Sequence, residues 1–290
     1  LKVAFLLAFG ANFIFAFSAT LFTDFSREVS GKWINSFKLI IAFICFGLTA
    51  LILQSTPIWS IAPYFMLSGA LGLFCADHFL CSAFAKLGSA RTLMIFSFSP
   101  IFVATWSYFL FQEKPHYTKF IAIFFFIACV FTLSIEKFRK EGHWEIPGLL
   151  MALFGIILDG LGNVTTRYAL NINPNESVMN VCAMRALGAF LGFLLFQPIL
   201  KTRLVDSFQK LSRRKKITVL IASSLGTYVS LTFWISAVKI GNLTSLIALS
   251  GTTPLLAGMF EIAMGKTKAT RYLAYAFGLF AIGFYFLIKN

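Results

Sequence analysis

Lys86-Leu87-Gly88-Ser89-Ala90 opens a stretch that continues through an apolar segment to Ser99-Pro100 and ends at Glu113-Lys114. A second copy begins at Lys239-Ile240-Gly241-Asn242, passes through Ser250-Gly251-Thr252-Thr253-Pro254 and ends at Gly265-Lys266. The glycine precedes the proline by twelve residues in the first copy and by thirteen in the second. The chain therefore reads as a duplication, and each copy should fold as the other does.

Composition bounds what is duplicated. Of the 290 residues, 58% are hydrophobic and 12% charged, and the mean hydropathy is +0.82. A soluble domain of this length could not hide so much apolar surface, so the chain is a membrane protein. Lys and Arg number 25 against 11 Asp and Glu. The cations lie mostly between apolar runs, which suits anionic headgroups, and no nucleic-acid partner is expected. Cys45, Cys75, Cys81, Cys129 and Cys182 sit inside apolar runs without metal-type spacing and read as small buried residues.

A helix needs about 20 apolar residues to cross roughly 30 Å of hydrocarbon. Ten such spans appear, at about 3–22, 33–53, 61–85, 92–111, 119–136, 147–168, 177–197, 217–238, 243–264 and 271–288. Backbone groups cannot stay unpaired in lipid and no alternating strand pattern is present, so the expected fold is an all-α integral membrane bundle. The first span is too long, and lacks the cleavage site, for a removable signal. Residues 198–216, with Arg213-Arg214-Lys215-Lys216, read as the longest surface loop. Five spans per copy is an odd number, so residues 1–140 and 141–290 enter the membrane from opposite sides. The result is two inverted-topology repeats with a binding site between them near mid-membrane.

Further correspondences carry the duplication outward. Lys38 and Arg185 occupy matching places in the second and seventh spans, and Lys119-Phe120-Ile121-Ala122 matches Arg271-Tyr272-Leu273-Ala274. Together with Ala83-Phe84-Ala85-Lys86-Leu87-Gly88, Pro100 followed by Glu113, and Ala237-Val238-Lys239-Ile240-Gly241 before Pro254, these features resemble the EamA-type ten-helix transporters of the drug/metabolite transporter superfamily. The pattern departs from that family at Thr267, where an acidic residue is usual, and at Lys38, where arginine is. The resemblance implies secondary transport of a small organic solute. No Gly-rich phosphate loop contradicts it, and neither an enzyme activity nor a cofactor is expected.

Polar residues inside spans are the candidates for the site, since each costs roughly 2.5–3.5 kcal/mol to insert and needs a partner or a use. Asp77 and His78 are adjacent in the third span and point about 100° apart. They read either as a solute-binding or proton-titrating pair, or as a salt bridge from Asp77 to Lys38, Arg91 or Arg185 beside a hydrogen-bonded histidine. Proton coupling through Asp77 follows from the first reading. Asp159, Asn163, Thr166 and Arg167 form one polar face of the sixth span, lining a cavity or stitching helices together. Asn12, with Ala16 and Ala19, is the facing candidate in the first span, while Ser18 and Thr20 read as bonded to their own helix. Ser97, Ser99 and Pro100, and again Ser250, Thr252, Thr253 and Pro254, place an interior proline after small hydroxyl residues, as hinges or as static kinks. Trp106, Tyr228 and Trp234 could wall a cavity, whereas Trp33, Trp59 and Trp144 fit interfacial anchors. The expected solute-binding set is thus Asn12, Lys38, Asp77, His78, Ser97, Trp106, Asp159, Asn163, Arg185, Tyr228, Trp234, Ser250 and Thr253, with Pro100 and Pro254 as hinges.

Most cations fall in loops after odd-numbered spans, which by the positive-inside bias places both termini outside. The family resemblance implies termini inside. The expected protein is a multi-pass transporter of the inner membrane, monomer or homodimer, whose partners are a small solute and the bilayer. Its expected work is export of an amino acid or related amphipathic compound. Exchange of an anionic or nucleotide-like solute, suggested by Lys38, Arg167 and Arg185 converging, and a non-transporting binding protein are the alternatives.

Overall fold

The computed structural model describes residues 2–54, 56–96, 98–111, 117–142, 145–268 and 270–288. The described chain is helical: α1 (Lys2–Phe25), α2 (Gly31–Ile52), α3 (Ala62–Gly69), α4 (Asp77–Leu87), α5 (Ser89–Phe96), α6 (Ser99–Phe111), α7 (Tyr117–Glu141) and α8 (Ile146–Ile172) come first. The series continues with α9 (Val178–Leu200), α10 (Leu204–Lys210), α11 (Arg213–Ser223), α12 (Ser230–Ile240), α13 (Leu243–Ser250), α14 (Thr253–Ala263) and α15 (Arg271–Ile288). Wide π turns at Ser26–Ser30, Ala70–Ala76 and Ser224–Val229 join α1 to α2, α3 to α4 and α11 to α12.

By length and composition, the stretches Lys2–Ile52, Ala62–Leu87, Ile146–Ile172, Val178–Leu200 and Arg213–Ile240 can cross a membrane, and four shorter apolar helices complete the set. The first stretch holds two spans. At 1.5 Å per residue a helix of its 51 residues would be more than twice the hydrocarbon thickness. It is broken at Ser30, whose backbone is extended and whose side chain accepts the Trp33 N–H as the N-cap of α2. Ten spans result.

Packing repeats with the sequence. Helix α1 packs on α12 and α14 as α8 packs on α4 and α6, while α2 meets α9 and α7 meets α15 as equivalent pairs. The start of the fourth span, α5, packs on the end of the ninth, α14, and the end of the fourth, α6, on the start of the ninth, α13. These two equivalent spans therefore run antiparallel, the relation an inverted repeat requires. The π turns obey it too: Asp77 and Ser230, the first residues after Ala70–Ala76 and Ser224–Val229, each stand nine residues before the lysines Lys86 and Lys239. Small residues bring the backbones together. A Cβ at Gly69 would collide with the Arg185 carbonyl oxygen, and one at Gly188 with that of Met66, so α3 and α9 cross in near contact.

Several expectations need correction. Residues 198–216 are not one loop: α9 runs through Pro198 to Leu200, α10 follows, and Arg213–Lys216 form the first turn of α11 capped by Ser212. Spans four and nine are broken rather than continuous helices with a kink. Pro100 and Pro254 are the second residues of α6 and α14, where a missing N–H costs nothing. Trp33 is buried, 1% exposed, stacked on Phe37 with its Nε1 donating to the Leu204 carbonyl, because α10 folds over it. Trp59 is exposed as an anchor would be. Glu113, Lys114 and Trp144 lie outside the described residues.

Candidate functional site

A cavity of about 140 Å³ opens where the two halves meet, lined by spans one to four and six to nine. Among the described residues, spans five and ten contribute none, being paired with each other at one side through α7 and α15. Nine expected residues line it: Asn12, Lys38, Asp77, Asp159, Asn163, Arg185, Trp234, Ser250 and Thr253. The wall between them is apolar, with Phe15, Leu73, Leu80, Leu93, Phe96, Leu231 and Ile247.

Two cations and two carboxylates face this space, and they are arranged unequally. In the first half Lys38 Nζ lies 2.5 Å from Asp77 Oδ2 and 5.5 Å from the centre of the Phe22 ring. Lys38 is 2% exposed, so the pair is closed and largely shielded. The π turn before Asp77 adds a residue to the helical turn and rotates α4 relative to α3, which aims the carboxylate at α2.

Arg185 is the counterpart of Lys38, but its guanidinium binds no carboxylate directly among the described residues. Nη1 donates to Thr166 Oγ1 at 2.5 Å. Thr166 Oγ1 donates to the Gly162 carbonyl one turn back and accepts from Ser68 Oγ at 2.6 Å. Arg185 is thus anchored by a fully buried hydroxyl relay. Gly72 stands beside it: a Cβ there would lie 3.3 Å from Arg185 Nη2 and 3.8 Å from Asp159 Oδ1. The missing side chain leaves both groups room at one point of the cavity.

Asp159 is held from the other direction. Asn163 Nδ2 donates to its Oδ2 at 3.0 Å, and Trp234 Nε1 donates to Asn163 Oδ1 at 2.9 Å. This chain fixes the amide and leaves Oδ1 without a hydrogen bond among the described residues.

The remaining expected residues lie elsewhere. His78 points away from the cavity, its ring edge-on to Phe79, because neighbours on a helix diverge. The Tyr228 hydroxyl is 2.8 Å from Thr49 Oγ1 and its ring packs on Phe46, so it ties α2 to the second half. Trp106 packs against the main apolar core with Nε1 buried and unbonded among the described residues. Arg167 Nη1 donates to the Val238 carbonyl at 2.6 Å, outside the cavity, and Ser97 lies outside the described residues. Thr20 bonds its own helix at the Ala16 carbonyl, whereas Ser18 Oγ finds no such partner among the described residues. Thr227 and Ser230, outside the expected set, also line the cavity. The spacing to Lys239 makes Ser230 the equivalent of Asp77, which is the signal in the sequence that points to it.

The model of the EamA-like transporter family matches residues 2–135 and again residues 146–289. No curated protein matches the chain. One crystal structure of a protein aligns with it at 17% identity and a TM-score of 0.68, over 98% of this chain and 96% of the other. At that identity the likeness speaks to the fold alone.

Proposed function

The chain belongs to the EamA-like transporter family, and on that premise we propose that it is a secondary-active exporter of a small organic metabolite, an amino acid or related amphipathic compound. The reading rests on one observation: a mixed polar and apolar cavity at the junction of two inverted halves, where alternating access places a solute site. Its size favours a small cargo, because a cavity of about 150 Å³ accommodates a benzene-sized molecule. A nucleotide is larger than that. The charges agree, since Lys38 is closed by Asp77 and Arg167 turns to a carbonyl outside the cavity, so the three cations do not converge on an anion. A proton as coupling ion and residence in the inner membrane belong to the same reading.

Purified protein in vesicles, loaded with unlabelled solute and offered the labelled one, is expected to exchange amino acids across the bilayer. Exchange should be faster than in vesicles without protein and should respond to an imposed pH gradient. Binding in detergent with no exchange for any solute would leave a non-transporting membrane receptor instead.

A further inference from the structure

The two halves treat equivalent charges differently, and the difference has a chemical use. Lys38 and Asp77 neutralise each other directly. Arg185 and Asp159 face the same small space beside Gly72 and yet form no ion pair. Opposite charges in a low-dielectric interior attract strongly and would close if free to move. Each is held back by its own bonds: Arg185 through Thr166 and Ser68, Asp159 through Asn163 and Trp234. Arg185 Nε and Nη2 and Asp159 Oδ1 make no hydrogen bond among the described residues, Nε being buried and Nη2 the nitrogen beside Gly72 and Asp159. Groups restrained apart in this way are organised for a molecule that bridges them.

We infer that the solute completes this open pair, its protonated amine on Asp159 Oδ1 and its carboxylate or other anionic acceptor on Arg185 Nη2. The inference deepens the transport reading and rests on it. The ligand class is a small zwitterion whose apolar part lies against Phe15, Phe96 and Leu231. Asn12 and Thr227 stand in the same wall, each with a buried polar atom lacking a partner among the described residues, and supply further hydrogen bonds to the acceptor end. Both charged contacts therefore come from the second half, while the Lys38–Asp77 pair lines the same cavity already closed on itself.

Thermal stabilisation of the detergent-purified protein tests this with three probes of one carbon skeleton: L-leucine, 3-methylbutylamine and 4-methylpentanoate. Wild-type protein should respond to leucine at a concentration at least about tenfold lower than to either single-ended probe, a tenfold ratio being 1.4 kcal/mol. Asp159→Asn should abolish the preference for leucine over 4-methylpentanoate while the acid still stabilises, which shows the variant is folded. Thr227→Val, which removes a hydroxyl that has no partner among the described residues, should weaken the response to the acid and spare the response to the amine. Equal responses of wild type to all three probes, no response to any, or an Asp159→Asn variant with its leucine preference intact would overturn the inference. Leucine bound through Asp159 but never moved across vesicles would overturn the transport reading and leave this one standing.

Discussion

Lys38 and Asp77 close on each other at 2.5 Å between the second and third spans, with side chains 3% and 15% exposed. Removing one member of a buried pair leaves the other uncompensated, at a cost of about 3–5 kcal/mol. Asp77→Asn is expected to lower the melting temperature in detergent sharply. The double variant Lys38→Met, Asp77→Leu should regain most of the loss, because an apolar pair of similar volume has no charge to bury. A double variant no more stable than the single one would mean that the pair is not what the fold depends on at this point.

How far the sequence alone reaches is visible in the same residues. Lys38, Arg185 and the two Lys-x-Gly segments identify the spans and their pairing, because hydropathy and spacing are properties of the chain itself. Which carboxylate meets which cation is not such a property. It depends on the rotation of α4, which follows the π turn at Ala70–Ala76. Asp77 could have reached Lys38, Arg91 or Arg185, and only the rotation chooses Lys38. Trp33 and Tyr228 show the same limit: an aromatic residue near a span end or inside a span looks like an anchor or a cavity wall until a neighbour claims it. Here the neighbours are α10 over Trp33 and Thr49 beside Tyr228.

The crossing of α3 and α9 makes a second stability prediction. Gly188 faces the Met66 backbone with no room for a Cβ, whereas Gly47 has nothing within 4 Å. Gly188→Ala must push the helices apart, and overpacking of this kind costs about 1–3 kcal/mol. Gly47→Ala should stabilise by up to about 1 kcal/mol through helix propensity. Melting temperatures of the two variants should therefore move in opposite directions, and a Gly188→Ala variant that melts no lower than wild type would contradict the near contact.

Glu261 predicts a local effect across the two halves. It is 8% exposed, and its Oε1 accepts from Ser89 Oγ at 2.6 Å and from the Ala90 N–H at 3.0 Å. Its Oε2 accepts from Thr267 Oγ1 at 2.8 Å. A carboxylate from α14 thus caps the first turn of α5, just after Gly88 turns the chain at φ 88°. Loss of an N-cap costs about 0.5–2 kcal/mol. Glu261→Ala should destabilise by that order and speed amide hydrogen exchange at the start of α5, while Glu261→Gln, which keeps an acceptor oxygen, should do so much less. Unchanged exchange in the alanine variant would remove the cap.

The broken spans carry the last prediction. Pro100 and Pro254 have no N–H to give to the carbonyls four residues earlier, those of Phe96 and Ser250, and both of those residues line the cavity. Each break therefore sits where the solute site meets a helix end, at equivalent places in the two halves, and among the described residues only single-turn bonds such as Phe98 N–H to the Ile95 carbonyl and Thr252 N–H to the Leu249 carbonyl cross it. Pro100→Ala and Pro254→Ala supply the missing donor and join the two pieces into one stiffer helix. If the breaks are hinges, the variants should bind solute with the wild-type midpoint in a thermal-shift titration and exchange it severalfold more slowly across vesicles. A slower exchange with weakened binding would instead assign the prolines to the shape of the site, and exchange at the wild-type rate would make them packing devices with no part in the motion.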